Sequence, residues 1–215
     1  MGNLKNEIDA YNTAKKERLP AEILAVMDQA TEDLKASGIE DRALRAGDTM
    51  PDFELPNQHG KVRRMWDFLV ESPVVLNVYR GGWCPYCNME MKALHDALPE
   101  IEAHGARLVG MAPETPDHAA ATAERYDIAI DILSDAGNQV AERLGLVFEI
   151  PQALRPIYEK IGADIQAYNG DDSFKLPVPA TYIIGQDGKV IYDFVNADYT
   201  QRLEPADIVA RLAVR

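Results

Sequence analysis

Apolar positions recur along this chain in two different rhythms, and the rhythm changes near residue 48. Between Pro20 and Ser37, the residues Ile23, Leu24, Met27, Ala30, Thr31 and Leu34 return every three or four positions, which predicts one buried face of a helix. Pro20 suits a first helical turn and Gly38 a C-terminal stop. The more polar stretch Leu4–Arg18 reads as a further helix, and the mixed-charge stretch Ile39–Gly47 as a linker.

From Asp48 onward short strand patterns alternate with helical ones, the mark of an α/β domain. Phe53–Leu55 and Lys61–Arg64 flank a turn at Asn57-Gln58-His59-Gly60. Val74–Val78 is an apolar, β-branched run apt for a buried parallel strand. A helix is expected over Pro85–His104, with Met89, Leu94, Leu98 and Ile101 facing inward. Strands at Arg107–Met111 and Ile130–Leu133 then alternate with helices at Thr115–Tyr126 and Asn138–Leu144. Val147–Leu176 is irregular apart from a helical candidate at Gln152–Ile161 and a polar turn at Asn169–Asp172. It reads as a surface loop, with a lid or wall over a site as the alternative. Thr181–Ile184 and Val190–Phe194 flank Gln186-Asp187-Gly188, a strong hairpin signal. Pro205–Val214 closes the chain as a helix.

The pattern divides the chain into a helical extension, residues 1–45, and an α/β domain, residues 46–215. Such an extension either caps the domain or pairs with a second copy in a homodimer. At 215 residues and 47 % hydrophobic, the chain can build a core without disulfide staples. No apolar run approaches the roughly 20 residues that span a bilayer. The start, Met1-Gly2-Asn3-Leu4-Lys5-Asn6, lacks the apolar core of a secretory signal, and Asn6 stands where myristoylation of Gly2 wants Ser or Thr. A cytoplasmic protein is the expectation. The net charge of −13, from 35 acidic and 22 basic residues, argues against nucleic acid or an anionic membrane as partner and fits solvated helix faces.

Both cysteines, Cys84 and Cys87, lie in Tyr79-Arg80-Gly81-Gly82-Trp83-Cys84-Pro85-Tyr86-Cys87, between the strand Val74–Val78 and the helix that follows. A cysteine at a helix N-terminus faces unpaired N–H groups and the positive end of the helix dipole, and both favour thiolate. Cys84 is therefore the expected nucleophile, with Pro85 at a first helical position where its missing N–H costs nothing. Cys87, nearly one turn on, can attack a sulfur bound to Cys84 and close a disulfide. Zinc needs about four ligands, and His59, His95, His104 and His118 show no paired spacing to complete the set. Neither a metal nor a cofactor is expected. A structural disulfide is disfavoured by the tight loop and a reducing compartment. If a peroxide is the substrate, Cys84 becomes a sulfenic acid that Cys87 resolves. If a disulfide is the substrate, Cys84 forms a mixed disulfide and Cys87 releases the product. A redox-sensing module that merely reports oxidation is a third option.

Trp83 either shields Cys84 and offers a contact face or is ordinary packing. Arg80 either holds a positive charge near the thiolate or is a solvent-facing cation at a strand end. Gly81 and Gly82 allow the backbone to turn.

These pieces in order resemble the peroxiredoxin family, the alkyl hydroperoxide reductase C/thiol-specific antioxidant group of the thioredoxin-fold superfamily, over about residues 46–195. Ala46-Gly47-Asp48-Thr49-Met50-Pro51-Asp52-Phe53-Glu54-Leu55 is similar to its opening segment, Leu133-Ser134-Asp135 with Val140 and Leu144-Gly145 to its middle element, and Ala180–Ile184 before Asp187-Gly188 to its closing hairpin. The resemblance implies a thioredoxin-like fold, a central mixed sheet flanked by helices. It also implies a thiol-dependent peroxidase acting on hydrogen peroxide or organic hydroperoxides, recycled by thioredoxin or a similar thiol donor. The family's Pro-x-x-x-Thr/Ser-x-x-Cys loop is absent: Gly81 and Asn77 occupy the hydroxyl and proline positions. Trp83–Cys87 instead resembles a thioredoxin active site, with a thiol–disulfide oxidoreductase as the alternative activity. Val178-Pro179 stands where peroxiredoxins carry an arginine and matches the cis-proline of thioredoxins. That likeness implies a Val178 backbone facing the cysteines and pairing with an extended substrate, against a plain rigid loop made by Pro177 and Pro179.

Overall fold

The computed structural model describes residues 3–214, so Met1 and Gly2, on which the lipidation reading turned, lie outside it. Two helices come first, α1 (Leu4–Arg18) and α2 (Ala21–Ala36). Asn3 caps α1 by accepting from the Asn6 N–H at 3.1 Å. The expected linker is anchored instead. Gly38, at φ 69°, turns the chain into the short α3 (Ile39–Arg42), and Ile39 and Ala43 are buried in the main core. Arg45 then reaches Asp193 at 2.8 Å.

Strands β1 (Glu54–Pro56) and β2 (Val62–Arg64) pair antiparallel around a turn in which Asn57 Oδ1 accepts from the His59 and Lys61 N–H groups. A helix the pattern did not announce, α4 (Met65–Glu71), follows and buries Met65, Phe68 and Leu69. Then come β3 (Val74–Val78), α5 (Pro85–Asp96) and α6 (Leu98–Ala103). The single helix expected over Pro85–His104 is two, because Pro99 has no N–H to donate and its ring excludes the carbonyl one turn back. The chain continues through β4 (Arg107–Ala112), α7 (Pro116–Tyr126), β5 (Asp131–Ser134) and α8 (Gln139–Arg143).

The stretch expected as a surface loop is built: β6 (Val147–Glu149), α9 (Arg155–Lys160), α10 (Ile165–Asn169) and β7 (Lys175–Pro177). Its two strands pair antiparallel, and Ile150, Leu154, Tyr158, Ile165 and Leu176 pack with Met27 of α2 in a separate small core. Strands β8 (Ala180–Ile184) and β9 (Val190–Val195) form the expected hairpin, and α11 (Pro205–Leu212) ends the fold.

The central sheet has five strands in the order β5-β4-β3-β8-β9, with β3, β4 and β5 parallel and β8 and β9 antiparallel to their neighbours. Both faces are covered, and the strand period of two sorts residues between them. Val74, Leu76 and Val78 join one core with Phe68 and Tyr182. Val75 and Tyr79 join the other, which also holds Cys84, Cys87 and, from α1, Leu4 and Ile8. The N-terminal helix is therefore part of the core under the cysteines. No described helix is long and apolar enough to cross a membrane.

Replacing Ile8 with Ala removes a side chain buried in that shared core. Truncations of this kind cost about 2–5 kcal/mol. In urea unfolding, Ile8→Ala should lower stability by at least about 2 kcal/mol within a single transition; a separate early transition would show α1 to be an independent appendage.

Candidate active site

The end of β3 delivers the loop 79–84 directly to the N-terminus of α5. Tyr79 is buried, and its N–H still bonds Met111 across the sheet at 2.9 Å. Gly81 has φ 136°, and a Cβ there would meet the Trp83 indole at 2.6 Å, so the turn that folds Trp83 back over the loop needs glycine. The Cys84 N–H bonds Gly81 O at 3.0 Å, and the Cys84 carbonyl accepts from Asn88 at 3.1 Å. Cys84 is thus the extended N-cap residue and Pro85 opens the helix, as the sequence predicts. Both cysteines are free thiols, Cys84 1 % and Cys87 0 % exposed.

Burial alone would raise the Cys84 pKa. The opposing effects win: the Cys87 thiol donates to the Cys84 sulfur, the Arg80 and Arg202 guanidiniums stand near it, and the Cys87 N–H points to it, bringing the pKa down to about 5. Cys87 goes the other way, raised well above the ordinary thiol value by burial and by the negative charge it faces on Cys84. The pair holds one thiolate, and it sits on Cys84.

Arg80 is buried, not solvent-facing. Its guanidinium lies 4.9, 5.6 and 4.5 Å from the ring centres of Trp83, Tyr158 and Tyr199, and its Nη2 donates to Tyr158 Oη at 2.8 Å. Cation–π contacts with aromatic walls suit a desolvated guanidinium. Trp83 is half-buried and tilts against Tyr158 at 5.7 Å, so it packs and lines the site at once. Tyr158 comes from α9. The 147–176 segment is therefore a wall of the site, the lesser alternative at the level of sequence.

Val178 and Pro179 do not face the cysteine in the expected way. The described residues contain no cis peptide bond, and the Val178 N–H is taken by Leu146 O at 2.8 Å, which aligns the chain for β8. Trans is the ordinary state of an X–Pro bond, favoured by about 0.5–1 kcal/mol. Both residues line a neighbouring cavity of about 220 Å³. The cavity that contains Cys84, of about 470 Å³, meets it at Met27, Arg80, Tyr158 and Tyr199.

Three charged residues escaped the sequence reading. Arg202, from the loop before α11, places Nη2 3.5 Å from Cys87 Sγ and Nε 2.7 Å from Glu90 Oε2, an ion pair excluded from water. Burial pushes the Glu90 pKa up to about 7 despite Arg202. Glu114 accepts from the Gly82 N–H at 2.7 Å and from Tyr79 Oη at 3.2 Å, and burial raises it likewise to about 7. Glu90 had a readable signal: it lies on the face Cys87, Glu90, Met91, Leu94, where a charge on an apolar stripe of α5 needs a partner. Arg202 had none, since 115 positions separate it from Cys87. Among the described residues no group of three or more His, Cys, Asp or Glu side chains could hold a metal ion.

Alkylation of Cys84 by iodoacetamide should follow a titration with its midpoint near pH 5. An opposite charge within reach lowers such a pKa by roughly 1–3, so Arg80→Met should move the midpoint upward by about one pH unit. A wild-type midpoint near that of a free thiol would contradict the charge arrangement.

Residues 46–193 match the AhpC/TSA family. The chain is 33 % identical over 114 residues to a Mycobacterium tuberculosis protein whose name places it among the peroxiredoxins, a match spanning 53 % of this chain and 74 % of that one. It is 30 % identical over 103 residues to Peroxiredoxin Bcp of Escherichia coli, covering 48 % of this chain and 65 % of its relative. The fold superposes on the crystal structure of peroxidoxin BcpB from Mycobacterium tuberculosis with a TM-score of 0.63 and 26 % identity, over 80 % of this chain and 99 % of that one.

Proposed function

The chain belongs to the AhpC/TSA family, and on that premise we propose that it works as a thiol-dependent peroxidase with Cys84 as nucleophile and Cys87 as resolving thiol. One observation carries the assignment of roles. Of two buried sulfurs, Cys84 alone borders the 470 Å³ cavity, and it alone is held as thiolate.

The cycle follows from that asymmetry. A hydroperoxide, either hydrogen peroxide or an organic one, enters the cavity, and the Cys84 thiolate attacks one peroxide oxygen. The O–O bond breaks, the sulfur becomes a sulfenic acid, and the leaving oxygen departs as an alkoxide or hydroxide that takes up a proton. Arg80 supplies positive charge where that oxygen develops its negative charge, fixed in place by its aromatic walls. Cys87 must then lose its proton to attack the sulfenic sulfur, releasing water and forming the disulfide. Glu90 shares Arg202 with Cys87 and titrates near neutrality, so it can accept that proton. Two electrons from a thiol donor, thioredoxin or another, restore the dithiol. Such donors fit a reducing compartment such as the cytoplasm. In this scheme the extension, 1–45, is a structural part of the site carried by the catalytic domain, 46–215.

The thiol–disulfide oxidoreductase alternative is not favoured. The backbone that would pair with an extended protein substrate is already bonded to Leu146, and the relatives are peroxiredoxins.

Mixing the reduced protein with hydrogen peroxide in a stopped-flow cell should change Trp83 fluorescence much faster than peroxide oxidises free cysteine thiolate. Cys84→Ser should abolish that phase, and Cys87→Ser should keep it while blocking turnover with a thiol donor. Loss of the first phase in Cys87→Ser would overturn the assignment of the nucleophile.

A further inference from the structure

Three cations line the Cys84 cavity, Lys15, Arg18 and Arg80, and no Asp or Glu lines it. None of the three has a carboxylate within ion-pair distance among the described residues. In a chain with 35 acidic and 22 basic residues, such a collection is contrary to the average surface. Among the described residues Lys15 Nζ has only Tyr199 Oη at 3.4 Å and the rings of Tyr86 and Tyr199 at 5.9 and 5.8 Å. Burial lowers the Lys15 pKa, and Asp28 and Asp198 counter this only from beyond contact. Arg18 has Tyr11 Oη at 3.3 Å. Arg80 is buried beside the Cys84 thiolate, Lys15 is half-buried and Arg18 is exposed, so the two cations of α1 add positive charge along the approach to the sulfur beyond what the thiolate itself engages.

The same wall limits who can reach the sulfurs. Helix α1 lies over the cavity and is tied down: Tyr86 Oη donates to Asn12 at 2.6 Å, and the Leu4 and Lys5 N–H groups bond Glu204 at 3.3 and 2.7 Å. On the other side stands α9 with Tyr158. A thiol that reduces a disulfide must come within bonding distance, about 2 Å, of a sulfur. In the dithiol form Cys84 is 1 % and Cys87 0 % exposed, and with the site walled as it is there, a protein thiol carried on a broad surface would have to displace α1 to reach either sulfur.

We propose that the donor that returns the Cys84–Cys87 disulfide to the dithiol is a small anionic thiol of peptide-like or smaller size, steered and held by Lys15 and Arg18. The proposal rests on the peroxidase reading above and names the partner of its reductive half. The thiolate of the donor attacks Cys84 Sγ, the sulfur on the cavity side. The Cys84–Cys87 bond breaks, and Cys87 leaves as thiolate and takes a proton. A second donor thiolate attacks the donor sulfur of the mixed disulfide, releasing the donor as its own disulfide and leaving Cys84 as thiolate. Two donor thiols are oxidised and one protein disulfide is reduced.

The test uses the full chain, oxidised with diamide so that the result does not depend on any peroxide. Reduction is followed by Trp83 fluorescence with 3-mercaptopropionate, 2-mercaptoethanol and cysteamine, which carry a negative, neutral and positive substituent. Each rate is divided by that thiol's rate with a small disulfide in free solution. The normalised rates should fall from anionic to cationic by about tenfold or more at low salt, and about 0.5 M salt should compress the series. Lys15→Glu with Arg18→Glu should reverse the order, and reduced thioredoxin at equal concentration should be slower than the anionic thiol. A flat wild-type series, which needs no variant to fold, overturns the proposal, as does faster reduction by thioredoxin. So does a double variant that slows oxidation by a carboxylate-bearing hydroperoxide relative to tert-butyl hydroperoxide while leaving reduction unchanged, since the anion site then belongs to the peroxide. Slow oxidation of the wild type by every hydroperoxide would instead fail the peroxidase reading alone.

Discussion

A thiolate with almost no exposure to water is the constraint around which this structure is arranged. An ion removed from water without partners is strongly disfavoured and would simply take up a proton. Cys84 keeps its charge because compensation arrives from four directions: the first turn of α5, the Cys87 thiol, Arg80 and Arg202. The two guanidiniums are themselves buried and need their own support. Arg80 finds it in three aromatic rings and a tyrosine hydroxyl, and Arg202 in the Glu90 carboxylate. The walls of the site are therefore consequences of holding one negative sulfur in a dry place.

That requirement explains parts of the chain that look peripheral. The rings around Arg80 come from the active-site loop, from α9 and from the loop that follows β9. Each has to be positioned by packing of its own. Leu154, Ile165 and Leu176 fix α9 against α2, and Leu4 and Ile8 fix α1 beside α5. The N-terminal helices and the 147–176 segment are in this sense parts of the site, although they lie at either end of the sequence from it.

How much of this could be read beforehand depended on how local each cause is. The N-cap position of Cys84 follows from a strand, two glycines and Pro85 within a dozen residues, and the structure agrees. The β8–β9 hairpin follows from Asp187-Gly188 in the same way. Pro99 was equally legible as a helix breaker, and the long helix expected across it was a misreading of a local rule. Arg80 is different. Its neighbours in sequence leave open whether it faces water or the sulfur, and Tyr158 and Tyr199, far along the chain, decide the matter.

Val178-Pro179 shows the limit of local likeness from the other side. The residues match a motif, but Leu146 takes the Val178 N–H and turns the backbone to another use. By itself the sequence determined the five strands of the central sheet, the cysteine at a helix start and the redox chemistry it allows, because periodicity, capping and turn preferences act over a few residues. Only the tertiary structure decided which charges attend that cysteine and what can reach it. Arg202, Glu114, Lys15 and Tyr158 come together through sheet order and helix packing, and these long-range contacts leave no mark on the residues adjacent in sequence.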